Sequence, residues 1–199
     1  MARMALVTSA PVKFEIAKLV HHLEAHVLTL PIETQSPAFG GWSVLSSDGS
    51  YTDGWHKGHL VYAQDSEEKS RILRESLGYG SRIYNQPTEI CHSYLKTVIN
   101  QIQNLSFSPT RARIIRLTKG MESIWHRDAP SEIPFYRLHI PILTNPKCLF
   151  VWEEKKLHLE ANGSAYIVCV NKMHKVVNHG DSDRFHLVMD IEWPTSTDR

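Results

Sequence analysis

The chain has 199 residues, of which 42% are hydrophobic and 22% are charged. This composition is typical of a globular protein that buries a core, and it excludes wholesale disorder. Lysine and arginine number 22 and aspartate and glutamate number 21, so the net charge is +1. A chain with no basic excess lacks the usual means of binding a nucleic-acid backbone, and we expect no nucleic-acid partner.

The cysteines and the hydropathy restrict the class of protein further. Cys91, Cys148 and Cys169 are odd in number and show no C-x-x-C spacing, which argues against a disulfide framework and a thiolate zinc site. No stretch approaches the roughly 20 apolar residues of a membrane helix, and the N-terminus does not resemble a secretory signal. We therefore expect a cytoplasmic protein with no membrane partner. The 12 histidines are the unusual feature, because histidine is the commonest metal ligand.

The first half of the chain has the apolar spacing of helices. Apolar residues recur three and four positions apart over 12–27, with Ser9 as the cap and Pro11 in the first turn, which predicts a helix. His21, His22 and His26 lie mostly on the other face of this helix. That position predicts solvated surface residues rather than metal ligands.

Two more helices and one short strand are predicted before residue 109. Residues 66–77 have the pattern of a short helix, and residues 42–45 that of a strand. A longer helix is predicted to start at a Thr88 cap and to present one apolar stripe over 90–102. His92 lies off that stripe, so it too is predicted to be a surface residue.

From residue 111 onward the apolar period changes to two, which is typical of strands. We expect a mainly β protein with N-terminal helices, because several short strands without intervening helices predict a sandwich or barrel. We expect one domain over 1–199, with a helical or irregular part at 1–109 and the β core that carries the site at 110–193. The predicted strands are 111–118, 121–125, 135–144, 148–152, 157–159, 165–170 and 184–193.

A candidate metal site begins at His126-x-Asp128. Side chains two apart at a strand end point to the same side, so this imidazole and this carboxylate are directed at one point. A third ligand has to come from elsewhere in the chain; His174 is the candidate, with His179 as its rival. Two histidines and one carboxylate form the facial triad of non-haem iron(II) oxygenases. A zinc site with three protein ligands is the alternative.

Two Arg-x-His pairs lie inside predicted strands. One is Arg137-x-His139, and the other is Arg184-x-His186. Arg184 follows the candidate third histidine by ten residues and is suited to anchor a carboxylate through a bidentate pair. Alternatively, either arginine is stabilised by a neighbouring acid such as Asp190. His186 is expected to support the site or the core rather than to bind the metal.

The order and spacing of four motifs in residues 110–193 carry a resemblance to a known family. The motifs are His126-x-Asp128, Arg137-x-His139-x-Pro141, His174-x-Val176-x-Asn178-x-Gly180 and Arg184-x-His186-Leu187-Val188-x-Asp190. Together they resemble the aspartyl/asparaginyl β-hydroxylase branch of the iron(II)- and 2-oxoglutarate-dependent oxygenases. Within that branch, the chain looks most like amino-acid hydroxylases of the L-proline cis-4-hydroxylase type.

The resemblance implies a double-stranded β-helix core, that is, a cupin-like jelly roll. It also implies roles for six residues. Three match the iron ligands: His126, Asp128 and His174. Three match positions that bind 2-oxoglutarate: Arg184 at its far carboxylate, and Arg137 and His139 near its metal-bound end.

The implied activity is that of an iron(II)- and 2-oxoglutarate-dependent dioxygenase. Such an enzyme hydroxylates an unactivated C–H with O2 and releases succinate and CO2. Some β-hydroxylases of this branch have glycine at the position of Asp128, so the complete triad favours a small-molecule substrate, most simply a free amino acid or an amino-acid-like compound. The alternatives are hydroxylation of a peptide or protein side chain, and a cupin-like module that binds a metal or a small acid without catalysis. A zinc hydrolase is less favoured, since no further acid is obviously placed as a general base.

A free amino acid requires fixed charges for its carboxylate and its ammonium group, and the sequence offers several. The candidates are Arg113, Arg116, Arg127, Asp48 and Asp53. A loop containing Trp55 and His56, together with Trp42, is a candidate cover for the substrate mouth.

Overall fold

The structure is a computed structural model that describes residues 5–34, 36–52, 62–63, 84–105, 109–128 and 135–191. Helix α1 is Ile16–His22, a π-helical turn at Leu23–Val27 continues it, and α2 is Ser93–Gln103. The strands are β1 (Val7–Lys13), β2 (Glu33–Thr34), β3 (Phe39–Ser43), β4 (Leu45–Ser46), β5 (Tyr62–Ala63), β6 (Gln86–Pro87), β7 (Pro109–Leu117), β8 (His126–Arg127), β9 (Tyr136–Leu143), β10 (Cys148–Trp152), β11 (Lys156–Leu157), β12 (Ser164–Cys169), β13 (His174–Asn178) and β14 (Arg184–Ile191). The prediction of a mainly β protein with leading helices is confirmed.

Most of the strands form two antiparallel sheets. The major sheet has seven strands in the order β1-β12-β9-β14-β7-β3-β2. The minor sheet has five strands in the order β11-β10-β13-β8-β5, and β4 pairs with β6 in a separate ribbon. β14 occupies the centre of the major sheet, where β7 and β9 flank it. Residues distant in sequence are thereby brought onto one surface.

The outer face of the major sheet packs against the helices. Alternate residues of its central strands, such as Ile140 in β9 and Leu187 in β14, are fully buried there against Leu95 and Val98 of α2. Leu19 of α1 joins the same cluster. Burying a side chain of this size contributes about 1.5–3 kcal/mol. This core fixes α1 and α2 to the sheet.

The inner face of the major sheet meets the minor sheet. Leu117 and Val168 from the major sheet share an apolar cluster with Phe150, Trp152 and Val176 from the minor sheet. Five other inner positions of β9 and β14 carry charged and imidazole side chains instead: Arg137, His139, Arg184, His186 and Asp190. Because strand residues alternate between faces, the same strands supply an apolar outer face and a polar inner one.

The start of the chain differs from the helix predicted from a Ser9 cap. Val7–Lys13 is a strand that pairs with β12 at the sheet edge, and the helix begins only at Ile16. Pro11 lies where the register of this pairing shifts between Ser9 and Lys13. Proline has no N–H to donate and is tolerated at an irregular edge strand, so its place in a first helical turn was the wrong interpretation.

The second half of the N-terminal region also departs from the prediction. α2 starts at Ser93 and not at a Thr88 cap, because the Thr88 hydroxyl donates instead to the backbone carbonyl of Ser43, at 2.8 Å. The residue that precedes α2 is His92. The helix predicted at 66–77 lies outside the described residues.

Two strand predictions in the β core were wrong. β13 was not predicted, because most of its residues are buried and the alternation that marks a half-exposed strand is missing. Residues 121–125 form a single bridge, Glu122 with Val177, rather than a strand. One domain over 1–199 stays a prediction. None of the helices that the structure describes is long and apolar enough to span a membrane.

We predict that Gly163→Ala destabilises the protein more than Gly120→Ala. Both glycines have positive φ, +86° and +72°, so alanine costs about 1 kcal/mol at either position. A Cβ at Gly163 would also collide with the backbone carbonyl oxygen of Phe14, whereas a Cβ at Gly120 would meet nothing within 4 Å. We expect an additional loss of about 1–3 kcal/mol at Gly163 in urea unfolding. Equal losses in the two variants would refute the prediction.

Candidate metal centre

His126, Asp128 and His174 come together at the edge where β8 pairs with β13. The two histidines are direct partners across these strands, and their ring centroids are 4.5 Å apart. Asp128 follows β8, and its backbone N–H donates to the carbonyl of Val170 at 2.8 Å. Residues 126 and 128 therefore present their side chains to one side, as the spacing predicted.

The potential ligand atoms of these three residues lie within 4.8 Å of one another. Nε2 of His126 is 4.0 Å from Oδ1 of Asp128, and Nε2 of His174 is 3.9 Å from Oδ2. Asp128 and His174 are buried, while His126 is partly exposed. The site is thus enclosed by protein around Asp128 and His174 and accessible to solvent at His126.

Backbone carbonyls determine which nitrogen of each histidine is available. Nδ1 of His126 is 2.8 Å from the carbonyl of Ile124, and Nδ1 of His174 is 2.8 Å from the carbonyl of Lys172. A carbonyl oxygen can only accept, so Nδ1–H donates in both cases and Nε2 keeps its lone pair. Burial, with a smaller contribution from His126, lowers the pKa of His174 to about 4, so its ring is neutral at pH 7. This arrangement is typical of metal-binding histidines.

Arg137 holds the carboxylate of the site. Its Nη1 donates to Oδ2 of Asp128 at 2.6 Å, and its Nε donates to Oδ1 of Asp190 at 2.9 Å. Both are charge-assisted hydrogen bonds. The alternative considered for Arg137, stabilisation by neighbouring acids, thus describes its contacts. Its predicted role at the metal-bound end of 2-oxoglutarate stays a prediction.

Asp190 is the buried centre of a cluster of arginines. Besides Arg137, it pairs with Arg111 at 2.8 Å and with Arg113 at 3.2 Å. Burial raises the pKa of Asp190, but the charges of Arg111, Arg113 and Arg137 outweigh it and bring the pKa down to about 2. Arg111 has φ +50° and lies at a register shift opposite β14, which turns it toward the same carboxylate as Arg113.

Arg184 differs from these arginines in its surroundings. It is 4% exposed, no carboxylate of the described residues lies within 4.0 Å of it, and its Nε has no hydrogen-bond partner among them. Burial lowers its pKa to about 10, so it still carries its charge at pH 7. A buried cation in this condition needs an anion to offset its desolvation.

Two buried histidines share the inner face with Arg184. Neither ring nitrogen of His139 or of His186 has a hydrogen-bond partner among the described residues, and their ring centroids are 5.8 Å apart. Burial, followed by the charge of Arg184, lowers the pKa of both well below the usual value. Each neutral ring can donate one hydrogen bond and accept another.

Ring contacts connect this polar region to the metal centre. His139 packs edge-on against Phe150 at 5.1 Å, and Phe150 stacks with His174 at 6.2 Å between centroids. Trp152 lies 6.3 Å from the same histidine. The predicted co-substrate residues and the predicted metal ligands therefore belong to one inner surface.

Several other predicted site residues are used elsewhere. His179 is exposed and lies 3.5 Å from Glu122, away from the three ligand candidates. Arg113 is committed to Asp190, and Arg116 lies 3.9 Å from Asp183. Asp48 accepts a hydrogen bond from the backbone of Ser50, and Trp42 is buried and donates to the carbonyl of Pro31. Arg127 lies in β8. Three further predicted residues lie outside the described residues: Asp53, Trp55 and His56.

The structure corrects the interpretation of the N-terminal histidines. His22 is buried rather than solvated, and it groups with His26 and His92. The four-residue spacing of the first two was the signal for a shared helix face. Nothing in the sequence brought His92 to the same place.

The donor set fits iron(II) and 2-oxoglutarate. Two imidazoles and one carboxylate match the facial triad, although the donor types alone also suit zinc. The buried guanidinium of Arg184, which has no carboxylate within 4.0 Å among the described residues, matches a dicarboxylate that has one end free of the metal.

Residues 42–194 match the family described as aspartyl/asparaginyl beta-hydroxylase. The chain belongs to this family. It is therefore an enzyme of the 2-oxoglutarate- and iron(II)-dependent oxygenases, a hydroxylase family that uses both cofactors. No curated protein sequence matches the chain.

Solved structures with low sequence identity share the fold. One is an oxidoreductase of the 2OG-Fe(II) oxygenase family from Burkholderia pseudomallei, with 13% identity and a TM-score of 0.56, covering 94% of this chain and 84% of that one. Another is HygX from Streptomyces hygroscopicus with nickel and 2-oxoglutarate bound, with 9% identity and a TM-score of 0.50, covering 94% and 82%. The predicted double-stranded β-helix is confirmed.

We predict that Asp190→Asn lowers the free energy of unfolding by about 3–5 kcal/mol, because it leaves buried arginines without their carboxylate. Asp183→Asn is the control. Its carboxylate is 31% exposed and forms a long ion pair with Arg116, at 3.9 Å, so its loss costs about 1 kcal/mol or less. Denaturant unfolding measures both, and losses of similar size would contradict the prediction.

The pH dependence of unfolding provides a second measurement on the same variant. Because the folded-state pKa of Asp190 is about 2 and the ordinary value is about 3.9, its stabilisation is complete above the ordinary value and is lost as the pH falls toward 2. The parent protein should lose this contribution between about pH 4 and pH 2. Asp190→Asn should lack that part of the pH dependence.

Proposed function

We propose that this protein hydroxylates an unactivated C–H of a free amino acid or an amino-acid-like small molecule, with O2 as co-substrate and with release of succinate and CO2. In this proposal His126, Asp128 and His174 hold iron(II). Arg184 binds the far carboxylate of 2-oxoglutarate, and Arg137 and His139 lie toward its metal-bound end.

The observation that carries the proposal is the combination of a prepared ligand triad with a buried arginine that lacks an acid among the described residues. Both histidines have Nδ1–H committed to carbonyls, so the ligand nitrogens need no rearrangement of tautomers. Arg184 belongs to the same inner surface. Triad and arginine together support the binding of a dicarboxylate that chelates the metal at one end.

Iron(II) with bound 2-oxoglutarate supplies the oxidising chemistry that inserts an oxygen atom into a C–H bond. The protein's own residues provide position and charge. Arg137 fixes the orientation of the Asp128 carboxylate through the 2.6 Å hydrogen bond and leaves Oδ1 for the metal. Arg184 determines how deeply 2-oxoglutarate lies in the site, because it binds the far carboxylate. Phe150 and Trp152 exclude water beside His174.

The complete triad supports a small-molecule substrate, as does the resemblance to amino-acid hydroxylases. Recognition of a free amino acid needs a cation for its carboxylate. Arg113 and Arg137 are committed to acids. Arg127 follows His126 in β8, and its role at the substrate carboxylate stays a prediction, as does that of Arg116.

We predict that His126→Ala abolishes iron binding and succinate production. Removing one of three ligands should weaken metal binding by more than the roughly 10–100-fold that follows loss of a ligand's hydrogen-bond partner. His179→Ala is the matched control, because His179 is exposed and lies away from the triad. Iron content and 2-oxoglutarate-dependent succinate release measure the effect. Full turnover in His126→Ala would exclude the assigned centre.

We predict that Arg184→Met raises the KM for 2-oxoglutarate by about 30-fold or more, the equivalent of losing about 2 kcal/mol of a buried ion pair. The unfolding temperature of the apoprotein should stay the same or rise, since the change removes a buried charge that has no acid within 4.0 Å in the part of the chain that the structure describes. A purely structural arginine would give the opposite result, with lower stability and an unchanged KM. Lys147→Met, which removes an exposed charge, is the control for net charge.

The substrate class is tested by a screen of free amino acids with iron(II), 2-oxoglutarate and O2. We expect succinate release above the uncoupled background with at least one of them, and a product heavier by one oxygen atom in mass spectrometry. Turnover only with peptides would replace the small-molecule substrate by a side chain of a peptide or protein. Binding of 2-oxoglutarate without turnover under any condition would indicate a non-catalytic cupin-like module.

A further inference from the structure

A second histidine cluster lies on the helical side of the major sheet. His22 is the last residue of α1, His26 belongs to the π-helical turn that continues it, and His92 precedes α2. The three rings are 5.0, 4.9 and 4.6 Å apart between centroids, and one ligand nitrogen from each lies within 4.8 Å of the others. Apart from the triad, this is the one group of potential ligands among the described residues with such spacing.

The local structure explains why these rings meet. Side chains four apart in a helix lie on one face, and two histidines at this spacing form one half of many zinc sites. His92 comes from a different element, so the cluster joins α1 to α2. Ser93, the residue after it, has φ +47°, and this left-handed conformation turns the chain sharply at the start of the helix.

His22 has the hydrogen bond expected of a metal-binding histidine. It is 3% exposed, and its Nε2 lies 3.0 Å from the backbone carbonyl of Ile90. The carbonyl can only accept, so Nε2–H donates and Nδ1 keeps its lone pair. Ile90 precedes His92 by two residues, so one segment supplies both the supporting carbonyl and a ligand. Burial is the main cause that keeps the pKa of His22 at about 4 and its ring neutral.

The second supporting contact is at His92. Its Nδ1 is 2.9 Å from the hydroxyl oxygen of Ser93. In the tautomer in which Nδ1–H donates to this hydroxyl, Nε2 of His92 keeps its lone pair and can bind a metal. His26 is exposed and therefore the ligand that can adjust by rotation.

The charges around the cluster permit a bound cation. Lys18 lines the same cleft of about 390 Å³ as His21, His22 and His26. Its ammonium group is neutralised by Glu15 at 2.7 Å. The cleft thus contains imidazoles and a lysine that is already paired with an acid, and the rings of His22 and His26 open into it.

We propose that His22, His26 and His92 form a second metal site, which binds Zn²⁺ through three imidazole nitrogens and thereby fastens α1 to α2. Zn²⁺ suits three nitrogen ligands with water as the fourth. Nitrogens bound at about 2.1 Å in a tetrahedron lie roughly 3.4 Å apart, so rotation of the exposed His26 side chain closes the site.

The second site differs from the catalytic centre in donors and in place. It lacks a carboxylate ligand, and imidazole-only sites bind Zn²⁺ more strongly than Fe²⁺. α1 and α2 pack on the outer face of the major sheet, whereas His126 and His174 lie on the minor sheet. The two centres can therefore be tested independently, and this proposal does not depend on the proposed hydroxylase reaction.

The experiment removes the catalytic centre and counts the remaining metal. In a His126→Ala/His174→Ala background we expect equilibrium dialysis against Zn²⁺ to give one equivalent per chain. Adding His26→Ala should weaken this binding by at least about tenfold. Adding His21→Ala instead is the matched control, because His21 lines the same cleft but is not one of the three ligands. Co²⁺ substitution should give visible absorption bands that only the His26 change abolishes.

Three results would overturn the proposal: no Zn²⁺ in the double variant, retention of Zn²⁺ after His26→Ala, or an equal loss after His21→Ala. Circular dichroism of each variant monitors folding. If the double variant does not fold, the same counts in the otherwise unchanged chain decide, with two equivalents expected in the parent and one in His26→Ala. Zn²⁺ should also raise the unfolding temperature of the parent background more than that of His26→Ala.

Discussion

Arg137 joins the two sheets at the point where the proposed metal ligands lie. Its side chain extends from β9 of the major sheet, bonds Asp190 of β14 through Nε, and bonds Asp128 beyond β8 of the minor sheet through Nη1. A guanidinium is planar with donors in fixed directions, so this bridge determines the orientation of the Asp128 carboxylate as well as its distance. The two histidines of the proposed centre depend on it indirectly, because β8 carries His126 and pairs with His174 on β13.

The negative charge of Asp190 offsets the cost of burying Arg137. Three arginines share this one carboxylate, and Asp128 takes part of the charge of Arg137. The inner face therefore keeps an excess of positive charge although the chain as a whole is almost neutral. Arg184, which has no acid within 4.0 Å among the described residues, adds to that excess. A local cationic interior in a neutral chain suits one small dianion better than an extended polyanion.

The sequence contained those parts of the site that depend on spacing within one strand. His126-x-Asp128 and Arg184-x-His186 follow from the two-residue period alone, and the fold class follows from the repeated short strands. The contacts of Arg111 and Arg113 with Asp190 do not follow from the two-residue period, because a register shift opposite Val188 and Asp190 interrupts the alternation of β7 residues between the two faces. β13 was not predicted because it is buried on both faces. The histidine cluster at α1 depends on a contact between His26 and His92, which lies 66 positions further along the chain.

In both groups of histidines, a hydrogen bond to a backbone carbonyl leaves the other ring nitrogen available for a metal, but the available nitrogen differs. In His126 and His174 a carbonyl takes Nδ1–H and leaves Nε2, whereas in His22 a carbonyl takes Nε2–H and leaves Nδ1. The difference in metal preference then comes from the third donor. Asp128 contributes a negative charge that Arg137 partly offsets, which favours a hard cation with open positions. His92 contributes no charge, so a softer, imidazole-preferring cation is expected there. Because α1 and α2 pack on the opposite face of the major sheet, a cation held by His22, His26 and His92 acts on helix packing and leaves the ligand geometry of the inner centre unchanged.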